Sequence, residues 1–515
     1  MANDLVRITG MNSGLDTESI IKAYTSTQSS RVTKAKNKLT LNNWTQDAWQ
    51  GLNTKIYSFY SNTLSTNRMS SAYAKKKVTT SNDALSVIPG TNATKGTQSA
   101  KIIATASSAY LTGGKIAASS ASDSLTEKLG LKDGDTLTFE GADGSTKQIQ
   151  IGGEAASDDI TVVNTMDELV NAFRNCGVNA NFDAGNQRLF LSAKESGEAG
   201  NFEIKSDDAS VLAKLGLASK EQLTALGMSE LGAASKIKGT NAKLELNGAE
   251  FESNTNSFNI NGSTYTINHM PADPDQEISV STTTDYESVY NVVKDMLKEF
   301  NSLINEMSKL YNADSAKGYD PLTDEQRENM SEKEITEWED KIKGALLRKD
   351  ETLGGVMNVM TDIINQGFEV NGKKMYLADF GISTLGYFEA DENERYALHI
   401  DGDSADGVTS GKEDKLKAMI ASDPEAVTDF FTSFAGELYK SLYSKMGSST
   451  YSSIYKVYND KQLKSDNSEL KTKIAELEDQ LKAREDKYYK LFSRMETNLA
   501  SINSKQSSLT GFFSN

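Results

Sequence analysis

The sequence predicts a multidomain α+β protein in which each inner domain is inserted into an outer one. Its 515 residues exceed the ~250–300 residues at which a single hydrophobic core stops growing. Both ends of the chain have helical patterns, whereas the residues between them alternate strand patterns with turns. The ends must therefore meet. We expect them to form a terminal-helix coiled-coil stalk, followed by a helix-rich domain and by β-rich and α+β head domains.

The C-terminal stretch has the clearest helical pattern. From Ser448 to Thr510 it contains neither Gly nor Pro, and apolar residues recur in steps of four and three, the heptad period of helices that pack on helices. The predicted seam consists of Leu463, Asn467, Leu470, Ile474, Leu477, Leu481, Arg484, Tyr488, Leu491, Met495, Asn498, Ile502, Lys505 and Leu509. At ~1.5 Å per residue, 460–510 would form a rod of roughly 75 Å, which needs a partner helix.

The N-terminal stretch is helical in pattern but weakly apolar. Asp16 or Thr17 can cap a helix that runs through Ile20. Residues 25–38 contain only two apolar side chains, so we expect them to be disordered until a partner docks. Apolar residues become frequent from Leu39 onward, which predicts that the first stable helix begins there.

The middle of the chain contains several strong local signals. Residues 136–139 and 148–151 flank a turn, and Asn261-Gly262 joins two strands, as in a two-residue hairpin. Thr165 and Glu168 form a capping box that opens a helix. A regular amphipathic pattern predicts a packed helix over 286–310. These signals give four nested domains: 1–48 with 441–515 (terminal coiled-coil stalk), 49–78 with 284–440 (helix-rich, with small β-hairpins), 79–115 with 236–283 (β-rich head), and 116–235 (inserted α+β head).

The second half of the predicted helix-rich domain contains patterns for helices and for short strands. Residues 314–332 form an acidic loop, which is followed by helices around 335–346 and 353–364. Asn371-Gly372 predicts another hairpin, and residues 396–400 a strand. Asp423-Pro424 caps a helix that continues to about Leu442, with Pro in the first turn.

Charge and composition exclude several kinds of partner. The net charge is −17, yet residues 1–77 have 11 Lys and Arg against 4 Asp and Glu, and residues 441–515 have 12 against 9. The acidic body between these ends argues against nucleic acid as a partner. No apolar run approaches the ~18 residues of a membrane span, so no membrane insertion is expected. The N-terminus lacks a signal-peptide core, which by itself indicates a cytoplasmic protein unless export uses no cleaved signal.

The sequence contains no recognisable catalytic, metal or cofactor site. The two histidines, His269 and His399, are not accompanied by a nucleophile motif. Residues 401–407 resemble a calcium loop, but Ala405 and Lys412 stand where ligands belong. The single cysteine, Cys176, excludes an intramolecular disulfide. We therefore expect interaction surfaces and not an enzyme.

The two ends of the chain resemble the flagellar filament cap proteins (FliD, hook-associated protein 2). The residues that match this family's terminal motifs are Ile8–Ile20 near the start and Tyr489–Glu496 with Asn503–Leu509 near the end. Residues 162–191 are similar to a repeat inserted in flagellin-type axial proteins, and residues 317–350 to a segment of some family members. The likeness covers essentially the whole chain, and the terminal motifs are its most specific part.

The resemblance implies a function and a set of partners. It implies a homo-oligomeric ring at the distal tip of the bacterial flagellum, which helps exported flagellin to fold and insert beneath it. It also implies export without a cleaved signal, through the flagellar type III export apparatus and with a dedicated chaperone. Some members bind host mucus or surfaces. The alternatives are another axial component, such as a hook–filament junction protein, or a surface adhesin.

The residues expected to make stalk, oligomer or filament contacts all lie in the two terminal stretches. They are Leu15, Ile20, Leu470, Ile474, Leu477, Leu481, Tyr488, Leu491, Met495, Ile502 and Leu509. Burial of several such side chains, at ~1.5–3 kcal/mol each, would dominate the pairing of the stalk. Two interpretations stay open: the seam pairs the two ends of one chain, or it contacts neighbouring subunits.

Overall fold

The computed structural model describes residues 13–155, 157, 159–386 and 388–513, with side chains up to residue 510. The first part of the N-terminal motif, residues 8–12, lies outside these residues. The described chain divides into two compact units: an outer unit from both ends, up to Tyr73 and from Tyr286 onward, and an inner unit, Ala74–Asp285.

The outer unit begins with a long helix, α1 (Thr17–Ser58), which passes through a π-helical turn (Phe59–Leu64) into α2 (Ser65–Asn67). Asp16 caps α1 as predicted, since its carboxylate accepts hydrogen bonds from the Ser19 backbone N–H at 3.1 Å and from the Ser19 hydroxyl at 2.6 Å. The prediction that the first stable helix begins near Leu39 is wrong, because 25–38 belong to α1. These residues are helical beside a partner helix from the other end of the chain, described below.

The described residues of the inner unit form short strands and four α-helices. Its elements are β1 (Lys76–Thr80), β2 (Leu85–Pro89), β3 (Gly96–Ala104), β4 (Ser108–Thr112), α3 (Leu125–Leu129), β5 (Asp135–Gly141), β6 (Thr146–Ile151), β7 (Ile160–Val163), α4 (Met166–Asn175), β8 (Val178–Asp183), β9 (Arg188–Ser196), β10 (Phe202–Lys205), α5 (Ala209–Lys214), α6 (Lys220–Ala225), β11 (Ser235–Ile237), β12 (Ala242–Leu246), β13 (Ala249–Ser253), β14 (Ser257–Ile260), β15 (Ser263–Ile267) and β16 (Ile278–Thr284).

These strands form four sheets over two separate hydrophobic cores. The sheets β1-β16-β3-β12-β13 and β14-β15-β2 share the first core, which contains Ile102, Leu244 and Ile278. The sheets β10-β5-β6-β7 and β11-β4-β9-β8 share the second core with α4, around Leu137 and Phe173. In strands such as β12 and β15, every second residue enters these cores, as the period of two requires.

The predicted local motifs of the inner unit are confirmed. β5 and β6 pair antiparallel, as do β14 and β15 across Asn261-Gly262, whose φ angles of 47° and 75° suit a type I′ turn. The Thr165–Glu168 capping box opens α4. Strand β7 was not predicted; it pairs parallel to β6, and four residues carry too little pattern to be recognised.

The second part of the outer unit is mainly helical. Its elements are α7 (Tyr286–Tyr311), α8 (Asp324–Glu328), α9 (Glu332–Gly344), α10 (Glu351–Asp362), β17 (Phe368–Val370), β18 (Lys373–Met375), β19 (Ile382–Thr384), β20 (Leu398–Ile400), α11 (Lys415–Ser422), α12 (Pro424–Lys445) and α13 (Asp460–Phe513). One large core joins the C-terminal end of α1 to α7, α10 and α12, and its fully buried aromatic side chains include Phe300, Phe380, Phe430 and Phe434.

Three features of this part differ from prediction. The acidic loop contains a helix, α8, which a capping box between Thr323 and Gln326 opens at its N-terminus. The strand predicted over 396–400 begins only at Leu398, where it pairs with β19. Helix α11 was missed because its eight residues barely exceed two turns. The predicted boundaries of the four nested domains stay a prediction.

Candidate functional site: the stalk formed by α1 and α13

Helices α1 and α13 lie side by side in opposite directions and form the stalk. At its base, the rings of Trp49 and Tyr458 are stacked with centroids 5.5 Å apart. The Asn53 amide donates to the Tyr455 carbonyl at 3.2 Å and accepts from the Val457 backbone N–H at 2.9 Å. The chain segment that enters α13 is therefore fixed to α1.

A buried asparagine sets the register in the lower half of the stalk. Asn467 accepts a hydrogen bond from the Asn42 side chain at 3.0 Å and donates to the side chains of Asn43 and Gln46 at 3.0 and 3.1 Å. The next two seam residues, Leu470 and Ile474, are buried. A buried asparagine at a seam position specifies register because any shift leaves its amide without partners.

Sparse contacts hold the outer half of the stalk together. Lys36 and Glu478 form an exposed ion pair at 2.6 Å, and the rings of Tyr24 and Tyr488 are stacked at 5.3 Å. Further out, the Ser13 backbone N–H and hydroxyl both donate to Glu496. Residues 13, 24, 36 and 42 of the N-terminal stretch thus contact residues 496, 488, 478 and 467 of α13, which keeps the pair in one antiparallel register.

The inward-facing side of α13 drifts away from the predicted heptad seam. Leu477, Leu481, Tyr488 and Met495 are half-buried as predicted, but Leu491 is 51% exposed. Its neighbour Phe492 is half-buried in its place, and further on Leu499 is half-buried where Asn498 was predicted. A helix of 3.6 residues per turn drifts by ~20° per heptad relative to a 3.5-residue repeat, which explains the shift.

The outermost predicted residues are not covered within the described part of the chain. Ile502 and Leu509 are 58% and 59% exposed, and Leu15 is also exposed. Ile20 is half-buried, whereas its neighbour Ile21 is fully buried. Ile21 and Val32, which the site prediction omitted, line the inner side of α1; their spacing of eleven, three helical turns, could have identified them. The contacts predicted for the exposed residues stay a prediction.

An ionised aspartate stabilises the junction between the loop after α12 (residues 446–459) and α13. Burial of Asp460 raises the pKa of its carboxyl, but hydrogen bonds from the Ser453 backbone N–H (2.6 Å) and hydroxyl (2.7 Å) outweigh this and hold the pKa below its ordinary value. The carboxylate is therefore charged at neutral pH. It fixes the loop just before the helix begins.

His399 and the aspartates of the calcium-like loop form hydrogen bonds and ion pairs with other side chains of the protein. His399 forms a hydrogen bond to Asp406 at 2.6 Å, and Asp403 accepts one from Lys294 at 2.6 Å. Among the residues that the structure describes, no group of His, Cys, Asp and Glu side chains could hold a metal ion. No helix in the described part of the chain is long and apolar enough to cross a membrane.

The architecture is that of a multidomain α+β protein whose two ends join in a long antiparallel helical stalk. The family model for the flagellar hook-associated protein 2 C-terminus matches residues 239–504, and that for its N-terminus matches residues 13–109. The chain belongs to the flagellar hook-associated protein 2 family.

Individual relatives agree with this assignment. A flagellar hook-associated protein 2 from Halalkalibacterium halodurans is 24% identical, over 99% of this chain and 100% of that protein. The crystal structure of the D1-D2-D3 domains of the flagellar cap protein FliD from Escherichia coli is similar in fold, with a TM-score of 0.50 and 18% identity. The similarity covers 82% of this chain and 99% of the Escherichia coli chain.

Proposed function

We propose that this chain caps the flagellar filament as a homo-oligomeric ring at its distal tip, with the α1–α13 stalk as the part that reaches into the filament. In this role it promotes the folding and insertion of exported flagellin and performs no catalytic step. Family membership supports the location and the association with flagellin. Export through the flagellar type III apparatus with a dedicated chaperone belongs to the same proposal.

The observation that carries the proposal is the incomplete burial of the stalk. Its base is packed into the large core, whereas every side chain of α13 from 501 to 510 is exposed. Ile502 and Leu509 are among them, so the described part of the chain leaves the outer end of the predicted apolar seam uncovered. A stalk of this kind is suited to contacts with other subunits in the filament tip.

Deletion of the gene tests the proposal directly. We expect flagellin to accumulate in the medium and cells to lack filaments, because nothing retains the exported subunits. The measurement is immunoblotting of medium and cell fractions together with electron microscopy of the cells. Full-length filaments with lost surface attachment would instead indicate an adhesin, and the cap proposal would be abandoned.

A stalk variant separates the function of the stalk from the folding of the chain. Leu477→Asp with Leu481→Asp places two charges in the half-buried interface, and we expect this variant to fail to retain flagellin while the inner unit remains folded. The matched control is Ser468→Asp with Thr472→Asp, which adds the same charges at exposed positions of α13. Normal filaments from the Leu477/Leu481 variant would contradict the role of the stalk.

A further inference from the structure

Five tyrosines form a continuous aromatic surface next to the base of the stalk. Tyr60 is stacked on Tyr439 with centroids 4.2 Å apart and lies 6.3 Å from Tyr443. Tyr57 lies 6.1 Å from Tyr60 and 5.4 Å from Tyr455. We call these five residues the tyrosine face; they come from α1 with its π-helical turn, from α12 and from the loop before α13.

Much of the tyrosine face is open to solvent. Tyr57, Tyr443 and Tyr455 are 39%, 47% and 38% exposed. Tyr60 is buried beneath them, and the Tyr439 ring is partly covered by Arg68. Tyr451 and Ile454 of the same loop are also exposed. Within the described part of the chain, the open faces of Tyr57, Tyr443 and Tyr455 have no covering element. Contiguous exposed apolar surface of this kind marks interaction sites, and tyrosine is enriched at the energetically important positions of interfaces.

The tyrosine face is held in a fixed shape. Asn53 binds both Tyr455 and Val457 of the loop, and the Asp460 carboxylate binds Ser453. The Arg68 guanidinium lies 4.0 Å from the centre of the Tyr439 ring. Because the rings and their loop are already ordered, a partner that binds them loses little conformational entropy in the protein.

The charge around the tyrosine face indicates which partner it fits. From Glu437 to Lys461 the chain has four lysines and two acidic residues. Glu437 pairs with Lys440 at 3.8 Å, and the Asp460 carboxylate is already occupied by Ser453, so the remaining lysines leave this segment positively charged. Arg68 adds a further positive charge. A complementary partner would therefore be acidic, with its charges arranged around the rim of the aromatic surface.

The outer unit itself carries such an acidic element. Residues 314–340, which we call the acidic arm, contain α8 and most of α9 and have ten Asp and Glu against three Lys and Arg. Glu328 and Glu332 are exposed side chains of this arm. The far end of α9 is attached to the chain's own stalk, where the Lys343 ammonium lies 4.8 Å from the Trp44 ring centre. The acidic arm is therefore anchored to the folded outer unit at the end of α9.

We propose that the tyrosine face is the docking surface for a second copy of this chain, and that it receives the acidic arm of that copy. A closed ring requires two different, complementary surfaces on each protomer, and the tyrosine face and the acidic arm are such a pair. The inference rests on the proposed function for the ring, and it adds the two surfaces that join neighbouring protomers.

Removal of the aromatic rings tests the docking surface. In the full-length chain, Tyr57→Ala with Tyr443→Ala should weaken self-association at least tenfold, as measured by sedimentation velocity over a concentration series. Tyr110→Ala, at an exposed tyrosine of the inner unit, is the matched control and should leave association unchanged. Unaltered thermal unfolding of the double variant shows that the fold is retained. Association that is unchanged in the double variant, or a wild-type chain that stays monomeric, overturns the proposal.

A charge exchange tests the identity of the partner. Lys445→Glu with Lys456→Glu in the basic segment next to the tyrosine face, and Glu328→Lys with Glu332→Lys on the arm, should each weaken association. A mixture of the two variant proteins should regain it, because each supplies the charge that the other lacks. No recovery in the mixture overturns the arm as the partner.

The outcome is distinguishable from failure of the cap proposal. Flagellin retention by cells reports on the cap, whereas sedimentation reports on the interface. A chain that retains flagellin but associates independently of the tyrosines contradicts the interface alone. A chain whose association needs the tyrosines but which does not retain flagellin contradicts the cap alone.

Discussion

The two ends of α1 are stabilised in different ways. Near its C-terminus, Trp49, Leu52 and Ile56 are buried in the large core of the outer unit. Over its first 32 residues, by contrast, only four side chains are buried, two of them threonines: Thr17, Ile21, Thr25 and Val32. One continuous helix is therefore held by a hydrophobic core at one end and mainly by the partner helix α13 over the rest of its length. Stability should fall along the stalk, from the base outward.

The largest effect should come from the core at the base. Phe434→Ala removes a fully buried ring that lies 6.4 Å from Phe368. We expect the outer unit to lose about 3–5 kcal/mol of unfolding free energy, since a large cavity remains. Chemical denaturation measures the loss of unfolding free energy, and amide hydrogen exchange shows in which unit the loss occurs. Hydrogen exchange within the inner unit, which has its own cores, should not change. A loss of protection confined to the stalk would contradict the idea that the core at its base contributes most of the stability.

A smaller effect is expected where the stalk is held by one helix pair. Ile474→Ala should destabilise the stalk by about 2 kcal/mol, the lower end for such a truncation, because Ile474 contacts one helix and not a full core. Amides of 17–38 should exchange faster, while those of the large core keep their protection. Leu491→Ala is the control, since Leu491 is exposed; equal effects of the two variants would contradict the shifted seam.

The buried asparagine should contribute less than the apolar seam. Asn467→Ala removes three hydrogen bonds, and we expect a loss of about 1–2 kcal/mol because its partners Asn42 and Gln46 are only partly buried and can bind water. Hydrogen exchange at the middle of α1 is the measurement. Asn498→Ala, at an exposed asparagine of the same helix, should have no effect.

The smallest effect should be a dependence on pH at the start of α13. The pKa of Asp460 is lowered in the folded chain, so its contribution is complete above the ordinary value near 3.8 and is lost as pH falls through the folded value. Thermal unfolding at pH 7 should therefore separate the wild type from Asp460→Asn. The difference should shrink toward pH 3, and a difference that grows on acidification would contradict this assignment.

The elements with strong local signals were predictable. The helix α13 begins at Asp460 as expected, α12 begins at Pro424, and the Asn-Gly turns at 261 and 371 form hairpins. In each case the deciding interactions lie within a few residues of sequence, as a cap, a turn or a heptad. From Leu470 to Leu481 the buried and half-buried side of α13 coincides with the heptad of the sequence, while the contacts assigned to the candidate site stay a prediction.

The remaining features depend on contacts distant in sequence. The parallel strand β7 forms only because β6 offers it an edge. The tyrosine face brings Tyr57 of α1 together with Tyr455 of the loop before α13, which lie almost four hundred residues apart. No local pattern shows such a contact, because each tyrosine alone is compatible with core, surface or interface.

The sequence by itself therefore determined that α13 is one long helix with an apolar side, because a 54-residue stretch with one late glycine and no proline has few alternatives. Only the tertiary structure decided that residues 25–38 are helical, since their few apolar side chains cannot offset the entropy of ordering without α13 beside them. It also decided which side of α13 faces inward beyond Leu481. There the 3.6-residue turn of the helix, and not the heptad of the sequence, sets which side chains meet α1.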